Sequence, residues 1–242
     1  MKEDPLFRVF HALSLCSGHF LRGDPMKSKL NVKKMVLIAM LAAVAYMMVF
    51  LVRIPVVLFL KYEPKDVIIT IGGFLLGPMA AFACSAVVSV IEMFSISDTG
   101  PIGCVMNLLS TCSFACTAAL IYKKRHSMAG ALVGLLAGSA VMVVTMLLWN
   151  YLVTPLYMTG TSRSDVAAML IPIFLPFNLL KAGFNTALTL AFYKPVVTAL
   201  RRTGLVETNP GSGKHSRSGV YLLAALLLIT CILLLLVYQG KI

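Results

Sequence analysis

Long apolar runs constrain this chain more than any other feature. The 242-residue sequence is 59% hydrophobic and 12% charged, whereas soluble proteins have a charged share of about 25%. A helix of roughly 20 apolar residues spans a bilayer. The runs are continuous and do not alternate, so they predict an all-α integral membrane protein and not a barrel. The predicted spans are 33–52, 67–77, 79–96, 102–121, 128–152, 169–193 and 219–238, of which the second is short for a full crossing.

The chain has a formal net charge of +12, and its basic residues are distributed as expected for a membrane protein. With a cytoplasmic N-terminus, fifteen of the 21 Lys and Arg fall in inner segments, and Lys181 falls inside a span. This distribution obeys the positive-inside rule. Since no basic stripe interleaves with aromatic residues, nucleic-acid binding is disfavoured. We therefore predict a multi-pass protein of the cell membrane with its N-terminus in the cytoplasm.

The chain divides into four parts. Residues 1–32 form a cytoplasmic tail without the features of a cleavable signal, and residues 33–200 form the main membrane domain. Residues 201–218 are a polar linker, and residues 219–242 hold an additional transmembrane helix. The linker contains Gly213-Lys214, but Thr208 and His215 stand where a phosphate-binding loop needs Gly and Ser or Thr.

Polar groups, glycines and prolines concentrate in residues 59–107. Polar groups at membrane depth are costly and by default mark a substrate or ion site. Within the predicted outer loop 53–66, Leu60 and Tyr62 lie among charges. Two interpretations are equally supported: a lid that covers a flat ligand, and an aromatic belt at the membrane interface. The other candidate site residues in this region are Glu92, Thr99, Gly100, Gly103 and Asn107.

The fifth and sixth spans supply further candidates. A stripe of Gly130, Gly134 and Gly138 predicts tight helix packing, and Asn150 lies near the end of the same span. Asn178 and Lys181 are spaced i, i+3 and share one helical face. A lysine inside a span needs a partner, a cavity or a ligand, and we expect Glu92 to supply the counter-charge.

The cysteines and histidines do not predict a metal site. The chain has six cysteines without a C-x-x-C pair, and its four histidines lie outside the predicted spans. Cys112 and Cys116 share a helix face, but small residues that pack helix against helix are the favoured interpretation. No catalytic residue, metal or cofactor is predicted.

Taken together, these motifs resemble the riboflavin-specific substrate-binding membrane subunit, or S component, of energy-coupling factor (ECF) vitamin transporters. The resemblance covers residues 33–200. It is carried by Ala39 and Ala43 of the first span, by residues 59–66 and 72–78, by Glu92 with 99–103 and Asn107, and by the stretches 150–158 and 176–181. The tail and the seventh span lie outside the six-helix pattern.

The resemblance implies six helices around a vitamin site near the outer face, plus the extra C-terminal helix. It also implies a complex with a transmembrane coupling subunit and two ATP-binding subunits, which hydrolyse the ATP. Ala39 and Ala43 by themselves favour packing within the chain. The resemblance instead implies that they form a docking face for the coupling subunit. The expected ligand is riboflavin, bound by Leu60, Tyr62, Glu92, Thr99, Gly100, Gly103, Asn107, Asn150, Asn178 and Lys181.

Three other interpretations are weighed against this one. The same module can carry FMN or another vitamin, with Lys61, Lys65 and Arg163 available for a phosphate. A membrane enzyme is disfavoured, because the chain has no paired metal-ligand histidines and no Gly-x-Ser-x-Gly elbow. A packing or assembly protein does not account for Glu92, Asn150, Asn178 and Lys181 at or inside span ends.

Overall fold

A computed structural model describes residues 32–57, 60–97, 99–158, 162–202 and 217–238. Residues 1–31, most of the predicted tail, lie outside the described residues, as do residues 203–216 of the predicted linker. The helices are α1 (Val32–Leu51), α2 (Lys65–Leu76), α3 (Pro78–Ser95), α4 (Gly100–Lys124), α5 (Met128–Tyr157), α6 (Arg163–Met169), α7 (Leu175–Arg202) and α8 (Arg217–Tyr238). Two short strands, β1 (Ile54–Val57) and β2 (Leu60–Tyr62), join α1 to α2.

Within the residues that the structure describes, five helical segments are long and apolar enough to cross a membrane. They are Val32–Leu51, Pro78–Ser95, Gly100–Lys124, Met128–Leu156 and Arg163–Thr198. Each corresponds to a predicted span, although the last is longer at both ends than the predicted 169–193. A short helix is present at the predicted second span, since α2 has only 12 residues and a helix of that length reaches about 18 Å; that it is a membrane span stays a prediction.

Helix α2 is the buried centre of the bundle at one end. Nine of its 12 residues are buried, from Lys65 to Phe74, and it packs against α3, α4 and α7. A helix that is covered on nearly all sides needs an apolar sequence, so the adjacent charged residues Lys65 and Asp66 at its start are exceptional. They lie at the end of the bundle that carries β1 and β2, which we call the hairpin end.

The predicted outer loop 53–66 contains a β-hairpin that the sequence reading did not identify. Strands β1 and β2 are antiparallel, with Ile54 opposite Tyr62 and Val57 opposite Leu60. Leu60 and Tyr62 are buried, while Lys61 between them is half-buried, as expected for side chains that alternate between two faces. Two apolar residues of β2 therefore pack against the bundle.

The glycine stripe of α5 packs as predicted. A Cβ atom on Gly134 would lie 2.7 Å from the backbone oxygen of Ala118, and one on Gly138 would lie 2.6 Å from that of Phe114. Helices α4 and α5 thus approach so closely that no side chain fits between them at these points. We call this contact the α4–α5 seam.

A five-residue π-helical segment, Leu170–Phe174, joins α6 to α7 into one long helical element. Leu175 donates its backbone N–H to the oxygen of Leu170, five residues back. Pro176 has no N–H to give to the preceding turn, which favours such a local widening. π-Helical turns often occur beside functional sites, and this one directly precedes Asn178 and Lys181.

The predicted additional helix is present as α8, and it packs along α7. Its Cys231 approaches α7 at Gly183, where a Cβ would lie 2.6 Å from the Cys231 sulfur. Helix α7 ends at Arg202 and α8 begins at Arg217, so both helix ends overlap the predicted linker 201–218. That α8 crosses the membrane as a seventh span stays a prediction.

Candidate functional site

Four charged residues and one amide meet at the hairpin end; we call them the Glu92 cluster. Glu63, two residues before α2, accepts a hydrogen bond from Arg53 Nε at 2.9 Å and contacts Lys65 Nζ at 2.8 Å. Lys65 also pairs with Glu92 of α3, and Asn107 Nδ2 of α4 donates to Glu92 Oε2 at 2.9 Å. The cluster links the hairpin, α2, α3 and α4, and its formal charges sum to zero.

Glu63 lies outside the membrane-spanning helices and is almost fully buried. Burial alone would raise the pKa of its carboxyl group, but the ammonium of Lys65 opposes that effect. With further help from the nearby cations Lys181 and Arg53, the pKa of Glu63 is held below its ordinary value. Glu63 is therefore ionised at neutral pH and keeps the cluster electrically balanced.

Lys181 pairs with Asp66 and not with Glu92, so the predicted counter-charge was wrong. The Lys181 ammonium lies 3.3 Å from Asp66 Oδ2 and donates to Ser110 Oγ at 3.0 Å. Glu92 is already paired with Lys65, the first residue of α2. The sequence placed Glu92 near the outer end of its span and Lys181 roughly in the middle of another. It gave no indication that Lys65, at the start of α2, pairs with Glu92.

A first cavity brings together four of the predicted site residues. Leu60, Asn107, Asn178 and Lys181 line it, and Lys61, Met106, Ser110, Met146 and Phe177 complete its wall. Its volume is about 30 Å³. Small-molecule sites usually have volumes of about 300–1,000 Å³, so the apolar and polar groups of a ligand site are present here around a narrow space.

A second cavity of about 50 Å³ lies on the other side of Asn107. Thr99 and Asn107 line it together with Arg53, Lys61, Glu63, Ser97 and Met106. Gly100 begins α4 with φ +55°, a conformation that favours glycine. A Cβ on Gly103 would lie 1.9 Å from Thr99 Oγ1, so glycine at this position lets the preceding turn fold over the start of α4.

Three predicted residues carry buried polar atoms without a partner. In the part of the chain that the structure describes, six buried side-chain atoms make no hydrogen bond, among them Glu92 Oε1, Asn150 Nδ2 and Asn178 Oδ1. Asn178 gives its Nδ2 to the backbone oxygen of Phe174 in the π-helical segment at 2.7 Å, which leaves the acceptor oxygen unpaired. Buried groups of this kind are rare and need an explanation.

The two hairpin residues lie in different surroundings. Leu60 lines the first cavity and belongs to an apolar cluster with Val166, Phe174 and Phe177. Tyr62 points to α7, where its ring lies 5.0 Å from that of Phe184. It lines neither cavity, so only Leu60 of this pair is in place to contact a ligand in the first cavity.

A family model described as "ECF transporter, substrate-specific component" matches residues 33–193. This match covers about two thirds of the chain. The chain belongs to the ECF transporter substrate-specific component family. It is therefore a multi-pass membrane transport subunit and not an enzyme, as the sequence predicted.

Named relatives and a solved structure agree with this family membership. The S component described here is 28% identical over 188 residues to "Riboflavin transporter RibU" of Staphylococcus aureus (strain TCH60), and the match covers 73% of the chain and 98% of the relative. It is 31% identical over 163 residues to "Riboflavin transporter FmnP" of Bacillus subtilis (strain 168), covering 63% and 85% respectively. The structure described as "Structure and mechanism of the S component of a bacterial ECF transporter" matches with TM-score 0.59 and 28% identity, over 70% of this chain and 98% of that one.

The sequence did not lead us to predict several polar residues that surround Lys181 in this S component. Ser110 and Thr111 follow the predicted Asn107 by three and four positions on α4, and Asn185 follows Lys181 by four on α7. Since residues three or four apart share a helix face, extending the predicted faces by one turn finds all three. Lys65 and Asp66 were instead interpreted as loop charges, because the predicted second span begins at residue 67 and α2 begins at Lys65.

Ala39 and Ala43 lie on the exposed face of α1 in this S component. Their neighbours Ala42 and Ala45 are buried against the bundle. The exposed face also carries Met35, Val36, Met40, Val44 and Met47. Packing within the chain is therefore the role of Ala42 and Ala45, and Ala39 and Ala43 lie open to another molecule or to lipid.

Proposed function

We propose that this S component binds riboflavin at the hairpin end, which faces the outside of the cell. The vitamin then passes to a transmembrane coupling subunit that two ATP-binding subunits drive. Family membership supports ECF-type import in general. The names of the two relatives support riboflavin as the ligand, and the positive-inside distribution of Lys and Arg supports a cytoplasmic N-terminus.

The observation that carries the proposal is the set of unpartnered polar atoms on Glu92, Asn150 and Asn178. The uracil-like edge of a flavin ring presents hydrogen-bond donors and acceptors side by side. Asn150 Nδ2 is a donor and Asn178 Oδ1 is an acceptor, so the two amides offer both of the groups that such an edge requires. Glu92 Oε1 is an acceptor suited to a ribityl hydroxyl.

The cavity walls supply the rest of the site. Leu60, Met146 and Phe177 are apolar walls for a flat ring. Lys181 is a donor in the wall of the first cavity, and Asn107 lines both cavities. The Thr99–Gly103 turn gives the ribityl chain close access to the start of α4. A planar apolar body with a few directed polar contacts is the usual composition of a small-molecule site.

Binding a tricyclic ring requires the cavities to widen. The first has a volume of about 30 Å³, and that is room for only about two water molecules. The β1–β2 hairpin forms its covering side through Leu60 and Lys61. In this proposal the hairpin moves outward from α4 and α7 to admit the vitamin.

A riboflavin titration of the purified protein, read by quenching of flavin fluorescence, tests the proposal. We expect saturable one-to-one binding in the native protein. Lys181→Ala removes a charged donor and should raise Kd by roughly 10- to 150-fold. The matched control is Lys123→Ala, an exposed lysine near the end of α4, which should leave Kd unchanged. Folded native protein without quenching would reject riboflavin.

FMN is the second candidate, because cationic side chains lie where a terminal phosphate would emerge. Arg53 and Lys61 both line the second cavity. Competition of FMN against bound riboflavin distinguishes the ligands. If riboflavin is preferred, FMN displaces it only at higher concentration, and the opposite order would favour the phosphate ester.

The exposed small-residue face of α1 is the proposed docking site for the coupling subunit. Small residues four apart allow close helix approach, and both Ala39 and Ala43 are exposed. Ala39→Leu with Ala43→Leu should abolish co-purification with the ECF module while riboflavin binding stays intact. Ala140→Leu, at an exposed position of α5, is the control. Retained assembly in the double variant would move the docking face elsewhere.

A further inference from the structure

Asp66 is a fully buried acid that the proposed ligand contacts do not use. Its relative exposure is 0%, and its carboxylate contacts three polar side chains, one of which, Lys181, lines the first cavity. We call this group the Asp66 network. Its members are Tyr62, Asp66, Ser110, Thr111, Lys181 and Asn185.

Three groups converge on the Asp66 carboxylate from two helices, α4 and α7. Thr111 Oγ1 of α4 donates to Oδ1 at 2.6 Å, and Asn185 Nδ2 of α7 donates to Oδ2 at 3.0 Å. The Lys181 ammonium lies 3.3 Å from the same Oδ2. Two neutral donors and one cation therefore hold the carboxylate in a fixed orientation, and the carboxylate in turn fixes the end of the lysine side chain.

The network extends to the hairpin through Asn185. Tyr62 of β2 donates its hydroxyl to Asn185 Oδ1 at 3.1 Å, while the amide nitrogen of Asn185 faces Asp66. Since the two ends of this amide serve opposite partners, its orientation is defined by chemistry. One continuous chain of contacts thus runs from Tyr62 through Asn185 and Asp66 to Lys181.

Lys181 is the only member of that four-residue chain that lines the first cavity. A lysine side chain has many rotamers, and ordering it costs conformational entropy. Asp66 and Ser110 hold its ammonium at the cavity wall before any ligand binds. Preorganisation of this kind improves affinity, because the ordering is complete before binding.

We propose that Asp66 is a positioning residue for ligand binding, which holds the Lys181 ammonium at the cavity wall and couples it to the hairpin through Asn185 and Tyr62. This inference rests on the proposed function. A packing role alone does not require charges here, because apolar residues of similar volume often replace a buried ion pair without loss of stability.

The test is a double-mutant cycle on riboflavin affinity with Asp66→Asn, Lys181→Met and the double variant. Asp66→Asn should raise Kd by roughly 10-fold or more in the native background. In the Lys181→Met background the same change should shift Kd by less than about twofold, the usual limit for additive sites. Asp66→Glu should recover part of the affinity, because it restores the carboxylate.

A second variant tests the hairpin connection without leaving a buried charge unpaired. Tyr62→Phe removes one hydroxyl and keeps the ring that packs on Phe184. We expect Kd to rise by about two- to tenfold, again only while Lys181 is present. The matched control is Tyr122→Phe, which removes the buried hydroxyl that contacts Tyr193 away from the cavities, and it should leave Kd unchanged.

The outcomes separate this inference from the proposed function. Native protein that binds no riboflavin rejects the proposed function itself. If native protein binds, then unchanged affinity in Asp66→Asn, or equal losses from Asp66→Asn with and without Lys181, overturns the positioning role. If Asp66→Asn does not fold, the riboflavin Kd of Tyr62→Phe is measured in the native and Lys181→Met backgrounds instead. An unchanged Kd, or an equal loss in both backgrounds, then overturns the positioning role.

Discussion

The hairpin end and the α4–α5 seam are two regions of one bundle that are built on different physics. The hairpin end contains buried ion pairs, amides and unpartnered polar atoms. The seam contains glycines against backbone oxygens, with Cβ distances of 2.6 and 2.7 Å at Gly138 and Gly134. The first region is defined by charge balance, whereas the second is defined by volume.

This difference separates the requirements of binding from those of folding. At the seam every atom contributes packing, so substitutions should change stability and leave ligand affinity alone. At the hairpin end, buried charges and unpaired amides are costly for stability but supply directed contacts. Residues there should divide into those whose loss destabilises the protein and those whose loss affects only binding.

The largest expected effect is at Lys65. Lys65→Met leaves Glu92 without its cation and gives the Glu92 cluster a net negative charge, which should lower the free energy of unfolding by about 3–5 kcal/mol. The measurement is the thermal midpoint of ligand-free protein in detergent. Lys34→Met, on the exposed start of α1, is the control.

The same substitution also tests whether charge balance matters at the hairpin end. Lys65→Met with Glu92→Gln removes one charge of each sign, so it should recover much of the lost stability. If the double variant is less stable than Lys65→Met alone, the cluster is not governed by charge balance.

The second effect is at Gly138 in the seam. Gly138→Val places a side chain against the Phe114 backbone oxygen, and overpacking of this kind costs about 1–3 kcal/mol or more. The thermal midpoint should fall, while riboflavin affinity of the folded fraction stays the same, because Gly138 lines neither cavity. Ala140→Val on the exposed side of α5 should change neither quantity. A loss of affinity at Gly138 would remove the distinction between the two regions.

The seam was predictable from sequence and the partners at the hairpin end were not. Gly130, Gly134 and Gly138 recur at one helical spacing, so a single periodic signal identifies a packing face. The partner of Lys181 depends on which helix start enters the bundle between α3 and α7, and that is set by tertiary structure. Composition indicated that Glu92 and Lys181 needed counter-charges, but only the fold assigns them to Lys65 and Asp66.

The third prediction compares two buried asparagines at the hairpin end. Asn150 has an unpartnered Nδ2, whereas both ends of the Asn185 amide are hydrogen-bonded. Asn150→Ala should raise the riboflavin Kd by about two- to twelvefold, the equivalent of 0.5–1.5 kcal/mol. Asn185→Ala should lower the thermal midpoint of ligand-free protein more than Asn150→Ala does, because it leaves buried partners unsatisfied. Equal midpoints for the two variants would contradict this division.

The smallest effect is expected where α8 meets α7. A Cβ on Gly183 would lie 2.6 Å from the Cys231 sulfur, at the end of a side chain that can rotate, so Gly183→Ala should cost about 1 kcal/mol, at the low end of overpacking. Cys231→Ala in the same chain should restore the thermal midpoint, since it removes the atom that clashes. Additive losses in the double variant would show that the two helices do not meet at this pair. Riboflavin affinity should stay within about twofold in all three variants, because α8 lies beyond the residues that match the family and none of its described residues lines either cavity.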